Sequence, residues 1–290
     1  MTLWHQTRTT LEMIKWEHSI FALPFALTAA VLASSGWPTL PKLLWIVVCM
    51  VTARSAGMAF NRWADSDLDA ANPRTAMRAI PAGLLSRTFV GWFTLVSAAL
   101  FILAASQLNR LTLLLSPVVL AVVLLYSYAK RFTRWSHLVL GLSLGIAPSA
   151  AWIAIRGTLD PRIVVLTLIV LCWVGGFDML YACQDADHDR RAGLKSLPAA
   201  IGIAGAFKLA RSLHLIMLTL SLWLIHLFAL GPIAWIGLAI VAALLFYEHS
   251  IISPRDLTRM NAAFFTLNGI VSIVFFLFFA SAALWKTVSS

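Results

Sequence analysis

The amino-acid sequence predicts an all-α protein that crosses a bilayer many times, and three features predict it. Hydrophobic residues make up 60% of the chain and charged residues only 12%, with a mean hydropathy of +0.86, too apolar for a water-soluble core of 290 residues. The apolar residues fall in runs long enough to cross a hydrocarbon layer of about 30 Å, which takes roughly 20 helical residues. The basic residues gather in alternate connections between those runs, the pattern of a topogenic signal.

Taken in order, nine runs are expected to span: Ser19–Ser35, Leu43–Phe60, Phe89–Ser106, Leu111–Ala129, Leu138–Ile155, Ile163–Cys183, Ser212–Leu230, Ile233–Tyr247 and Ala262–Trp285. The eighth is short for a span. Before them, Met1 to His18 is mixed and amphipathic, without the basic stretch, apolar core and cleavage site of a secretory signal, so it is expected to lie along the membrane surface. The first run carries Pro24, read as a kink tolerated in a membrane helix. The loop from Ala70 to Ser86 contains the turn signals Asn72-Pro73 and Pro81 and is too long and too charged for a plain connector. Gly141 and Gly145 in the fifth run have the spacing that lets two helices approach closely. Cys49, Cys172 and Cys183 lie inside apolar runs at irregular spacing and read as packing residues, with no disulfide. Most of the 12 Trp read as interfacial anchors, and His188, His214 and His226 are assigned no chemistry.

The formal charge of +10 suggests nucleic acid in a soluble protein, but here its distribution is topological. With the N-terminus cytoplasmic, only Lys42, Arg110, Arg156, Arg162 and Lys286 of the 22 Lys and Arg fall on the outer side. Nine spans then place the C-terminus outside. The partners expected are the lipid bilayer and small molecules, not nucleic acid. The whole chain, 1–290, reads as a single integral membrane domain, placed in a bacterial inner membrane.

Two acidic motifs stand apart from this background. The first, Asn61-Arg62-Trp63-Ala64-Asp65-Ser66-Asp67-Leu68-Asp69, follows the second run, and the second, Gln184-Asp185-Ala186-Asp187-His188-Asp189, follows the sixth. Residues four apart share a helix face, so Asp65 with Asp69, and Asp185 with Asp189, each aim two carboxylates at one point, while Asp67 and Asp187 point elsewhere. Four runs separate equivalent points, which puts both motifs on the cytoplasmic face and suggests two four-helix halves plus a ninth helix around a central cavity, with the motifs facing one another. Carboxylates so placed repel unless cations lie between them. Mg²⁺ suits such ligands, because it takes one or two carboxylates and completes its shell with water and phosphate oxygens. Asn61 adds a candidate amide ligand. Arg74, Arg78, Lys130, Arg131 and Lys195 share the same face and supply charge for a phosphate group, so the inferred ligand is a diphosphate. No phosphate-binding Gly-x-x-x-x-Gly-Lys loop is present.

Asn61-x-x-x-Asp65-x-x-x-Asp69 with Arg74-Thr75 and Arg78, then Tyr126-x-x-x-Lys130-Arg131, then Asp185-x-x-x-Asp189 with Gly193-x-Lys195-Ser196, resembles the UbiA superfamily of intramembrane aromatic prenyltransferases along nearly the whole chain. Arg62 stands where Asp is frequent in that family, and Leu197-Pro198 where Thr-Ala is usual. The resemblance implies Mg²⁺-dependent transfer of a polyprenyl group from its diphosphate to an aromatic acceptor in quinone synthesis. Asp65, Asp69, Asp185 and Asp189 would be catalytic metal ligands, and Asn61, Arg74, Arg78, Tyr126, Lys130, Arg131 and Lys195 would bind substrate. Arg131 would face a carboxylate on the acceptor, and Asp178 or a diphosphate oxygen would take the ring proton. Trp16 to Pro24 and Asn72-Pro73-Arg74-Thr75 resemble the 4-hydroxybenzoate group and its menaquinone-pathway relatives, with haem- or pigment-type acceptors as alternatives. From another class, a cation-coupled transporter would also pair intramembrane aspartates, but its site lies near mid-membrane at broken helices and gives no reason for the neighbouring cations.

Overall fold

A computed structural model describes residues 3–15 and 21–289. It is built from helices: α1 (Leu3–Ile14), α2 (Leu23–Ser34), α3 (Leu40–Ala64), α4 (Ser66–Ala71), α5 (Arg87–Ser106), α6 (Arg110–Leu125), α7 (Ala129–Phe132), α8 (Ser136–Arg156), α9 (Val164–Ala182), α10 (Ala186–Arg191), α11 (Leu197–Leu227), α12 (Pro232–Ile251) and α13 (Asn268–Ser289). Short 3₁₀ turns join several of them, and a π-helix, Ala262–Leu267, leads into α13. An all-helical chain follows from the solvent, since lipid offers backbone groups no partner and a helix satisfies them within itself.

Eight helices among the described residues are long and apolar enough to cross a membrane, not the nine expected. The first expected run is the exception. Its start, Ser19, lies outside the described residues, as do Trp16 to Ile20, and the helix described there, α2, has 12 residues. At 1.5 Å per residue that is about 18 Å. Pro24 sits in the first turn of α2 and so begins this helix instead of kinking it, since its missing N–H needs no partner there. The short eighth run is longer than expected, because α12 continues through Glu248 and His249 to Ile251.

The chain divides into two compact units, Met1–Ser19 with Leu44–Tyr128, and Ile20–Leu43 with Ala129–Ser290. These are not the four-helix halves expected from motif spacing. In the smaller unit, α5 packs on α6. There α1 turns Met13 and Ile14 onto Ala59, Leu85 and Val90, while Arg8 and Glu12 pair on its exposed side at 2.8 Å.

In the larger unit α9 is the central helix, flanked by α8 and α11. Of the most apolar stretch of the span Pro161–Arg191, 78% is buried, against 44% for the next most buried span, as befits a helix apolar on every side. The expected close approach occurs between α8 and α9. A Cβ on Gly145 would lie 2.7 Å from the Thr167 carbonyl oxygen, and one on Gly141 would collide with the Leu171 carbonyl. Polar groups inside this unit are tied together: the Trp173 indole donates to Asn268 at 2.8 Å, and Asn268 donates to Glu248 at 3.2 Å. His214 meets His249 at 3.0 Å and the Trp173 carbonyl at 3.3 Å. The cysteines are free thiols, in keeping with their packing role.

Because the α8–α9 approach leaves no room for a side chain, Gly145→Leu is expected to destabilise the detergent-solubilised protein by about 1–3 kcal/mol, the usual cost of overpacking. Thermal melting against Leu142→Met, at a partly exposed position on the same helix, checks this. Equal melting points would show that the helices part without cost.

Candidate active site

The first acidic motif straddles the junction of α3 and α4. Asp65 occupies the break, with φ −96° and ψ 6°. The second straddles a 3₁₀ turn, Cys183–Asp185, and α10, and Asp185 has nearly the same backbone, φ −102° and ψ 1°. These values lie in the sparsely occupied bridge region, where active-site residues are often found. Sequence reading treated each motif as a continuous helix. The structure instead interrupts both at the first aspartate, yet in the first motif the four-residue bonds continue, Asp65 N–H to the Asn61 carbonyl at 3.0 Å and Asp69 N–H to the Asp65 carbonyl at 2.8 Å.

In the smaller unit Asp65 and Asp69 are buried, 2% and 4% exposed. Asn61 donates its amide nitrogen to Asp65 Oδ2 at 3.3 Å, and Arg78 Nη1 donates to Asp69 Oδ1 at 2.6 Å. Asp69 Oδ2 is buried with no hydrogen-bond partner, so half of a carboxylate faces neither water nor a donor. Thr75 Oγ1 donates to the Asp69 carbonyl at 3.0 Å, and the Asn72 side chain accepts from the Arg74 N–H, which folds the Asn72-to-Arg78 loop back onto the motif. Arg62, at the position where the sequence departs from the family pattern, is near enough to Asp69, Asp65, Arg78 and Tyr126 to interact with their charges. Asp67 by contrast is 83% exposed and meets Arg87 at 3.4 Å.

In the larger unit Asp185 and Asp189 are half-buried, and Lys130, Ser196 and His188 lie close to Asp189. Asp187 is again exposed, paired with Arg190 at 3.0 Å. Gly193, at φ +68°, makes the turn after α10 that glycine adopts most easily, and the Lys195 N–H then reaches the Lys130 carbonyl at 2.8 Å. The Lys130-Arg131 and Lys195-Ser196 motifs are thus tied by backbone. The Lys195 ammonium donates to the Phe132 carbonyl at 3.3 Å, an occupation that sequence reading did not foresee. Tyr181, one turn before Asp185, has its ring centroid 4.2 Å from that of Phe264, which also meets Phe177 at 5.1 Å, so an aromatic cluster packs beside this motif.

Asp178 lies seven residues before Asp185, two turns back on the same helix face and about 10 Å away along the axis. His137 of α8 meets it, Nδ1 to Oδ2, at 2.7 Å. The imidazole is buried and its Nε2 has no partner, while the carboxylate remains 19% exposed. Sequence reading missed His137. The two residues are 41 positions apart, and only α8–α9 packing brings them together.

No group of three or more His, Cys, Asp or Glu able to hold a metal occurs among the described residues. Mg²⁺ needs no such group, since a carboxylate pair with water and phosphate oxygens suffices. The unpartnered Asp69 Oδ2 is the atom on this chain that fits such a cation best.

Residues 22–285 match the UbiA prenyltransferase family. A 4-hydroxybenzoate octaprenyltransferase of Vibrio cholerae is 34% identical over 256 residues, covering 86% of this chain and 88% of its own length. One from Cupriavidus necator is 32% identical, covering 83% and 85%. The apo structure of a UbiA homolog from Aeropyrum pernix K1 superposes with a TM-score of 0.83 at 33% identity, covering 94% of this chain and 98% of the other. A UbiA homolog from Archaeoglobus fulgidus, bound to GPP and Mg²⁺, shares the fold at a TM-score of 0.75 and 19% identity, covering 96% and 99%.

Burial and pairing separate Asp65 and Asp69 from Asp67, and the separation is measurable without turnover. Titrating purified protein with Mn²⁺ as a spectroscopic stand-in for Mg²⁺, Asp65→Ala and Asp69→Ala are expected to weaken binding by about tenfold or more, and Asp67→Ala by less than about twofold. Equal losses at all three would remove the distinction.

Proposed function

The chain belongs to the UbiA prenyltransferase family, and from that premise we propose that it transfers a polyprenyl group from its diphosphate to the ring of 4-hydroxybenzoate, a step of ubiquinone synthesis. The observation that carries the reaction class is the pair of acidic motifs interrupted at the same place, Asp65 and Asp185, with nearly equal dihedral angles. The acceptor rests on the named activity of the relatives. Family membership also removes the transporter alternative.

On this reading Asp65 and Asp69, and separately Asp185 and Asp189, each hold a Mg²⁺, with Asn61 orienting the first pair. Mg²⁺ when bound neutralises the diphosphate and eases its departure. Arg74, Arg78, Lys130 and Arg131 supply further positive charge to the leaving group. Arg78 meanwhile holds Asp69 in place through their 2.6 Å bond. Ionisation leaves positive charge on the allylic carbon. The apolar cluster of Tyr181, Phe264 and Phe177 helps to keep water from it. The carbon–oxygen bond having broken in that ionisation, the acceptor ring bonds to the cationic carbon, and the product ring loses one proton to an oxygen of the departed diphosphate. The exposed member of the His137–Asp178 pair, the carboxylate, accepts from the acceptor hydroxyl, while His137 holds its other oxygen. The carboxylate thus raises electron density on the ring without having to find its orientation during the reaction. The motif-bearing face is placed on the cytoplasmic side of a bacterial inner membrane, on the strength of the charge division.

Membranes containing the protein, given a labelled polyprenyl diphosphate and a panel of aromatic acids, are expected to yield prenylated 4-hydroxybenzoate, identified by mass. Chelator should abolish the product and Mg²⁺ restore it. Product from a hydroxynaphthoate alone would change the acceptor and keep the reaction class, and full activity in excess chelator would overturn the metal assignment.

His137→Ala is expected to lower kcat about 10²-fold, the scale of a misplaced catalytic group, with little change in KM for the prenyl diphosphate. Restoration of part of that loss by His137→Asn, which can still donate to Asp178, is the readout that a purely structural role would not produce.

A further inference from the structure

The larger unit contains a cavity of about 600 Å³ at the ends of its helices far from the Asp185 motif. Along the segment that leads into α9, Arg162 at the cavity and Asp185 are roughly 35 Å apart by helical rise. The cavity lining includes apolar side chains, Val31 and Leu32 of α2, Trp152 of α8 and Leu227 of α11, and charged ones, Arg156, Arg162, Lys286 and a single carboxylate, Asp160.

The charge division makes this concentration unexpected. On the predicted topology only five cations lie on this side of the membrane, since the positive-inside rule depletes them. Three line this one cavity, and a fourth, Lys42, donates to the Ile155 carbonyl beside Arg156 at 2.9 Å. Two of the four have a local explanation. Lys42 and Lys286 donate to the Ile155 and Phe228 carbonyls, at the C-terminal ends of α8 and α11, where the helix dipole favours positive charge. Arg162 meets Asp160 at 2.6 Å, and the guanidinium holds that carboxyl below its usual range. Arg156 meets the neutral Ser35 hydroxyl at 3.2 Å, and the cavity lining carries three cations against one carboxylate.

We propose that this cavity binds the phosphate head of an anionic phospholipid, with an acyl chain leaving past the half-buried Leu227. The charge calls for a phosphate ester. The apolar part of the lining distinguishes a lipid from free phosphate, which would use none of it, and the volume is several times what a phosphate ion needs. Basic pockets between membrane helices on the cytoplasmic side recognise lipid heads in this way, and this cavity offers the same chemistry at the opposite face. The site is separate from prenyl transfer and would anchor the ends of α2, α8, α11 and α13 at the membrane surface.

The test uses the full chain purified in a neutral maltoside detergent, titrated with phosphatidylglycerol, phosphatidylcholine, glycerol 3-phosphate and inorganic phosphate, with thermal melting and native mass spectrometry as readouts. Phosphatidylglycerol alone is expected to raise the melting point and to remain bound in the mass spectrum. Arg156→Gln should weaken its binding about fivefold, the effect of one basic residue at a lipid surface, with prenyl transfer within about twofold of the unaltered protein. Arg162→Gln, at a guanidinium that is 51% exposed, provides the same test should the first variant fail to fold. Equal binding of phosphatidylcholine, or phosphatidylglycerol binding that neither substitution changes, would overturn the site. Equal stabilisation by inorganic phosphate would overturn the lipid assignment.

Discussion

An ionised carboxylate cannot be left in lipid without a counter-charge, and the arrangement of this chain follows from that constraint. The desolvation cost confines Asp65, Asp69, Asp185 and Asp189 to helix ends and requires partners for those that are buried. Asp69, 4% exposed, has Arg78 on one oxygen and nothing on the other. A half-satisfied carboxylate of this kind is costly to bury. The same constraint explains the opposite fate of Asp67 and Asp187, which stay exposed and pair with arginines at the surface.

The second organising feature is the repeated break at Asp65 and Asp185. A regular helix carries both aspartates of a pair on one face, and in the first motif the four-residue bonds on either side of Asp65 are kept. Stepping out to the bridge region at that residue changes the direction of the following turn while keeping the four-residue spacing. The same backbone step recurs at two places 120 residues apart, while the compact units, with the smaller built on Leu44–Tyr128, do not follow equal halves.

Much of the site was legible because its chemistry is local in sequence. Asn61, the Asp65–Asp69 pair, Arg74 and Arg78 all lie within 18 residues; helical spacing relates the first three, and the turn after Asn72 folds Arg78 back onto Asp69. The close approach through Gly141 and Gly145 was legible for the same reason, since a stripe of small residues says that something packs there without saying what. Less legible were features that depend on which helices are neighbours. The Lys195 ammonium reads as a phosphate ligand in sequence and bonds the Phe132 carbonyl in the fold.

The sequence by itself determined the solvent, the helical class, the family and the carboxylate pairs, because hydropathy and helix periodicity are properties of short stretches. Tertiary structure decided that eight long helices and one short one are described where nine spans were expected, because a helix end depends on whether its polar groups find partners. It also decided that His137 holds Asp178, and that Arg156, Arg162 and Lys286 meet around one cavity. These residues are separated by 41 positions or more in the first case and by up to 130 in the second. No pattern in the chain links them, and their meeting follows only from the packing of α8 on α9 and of α13 on α2.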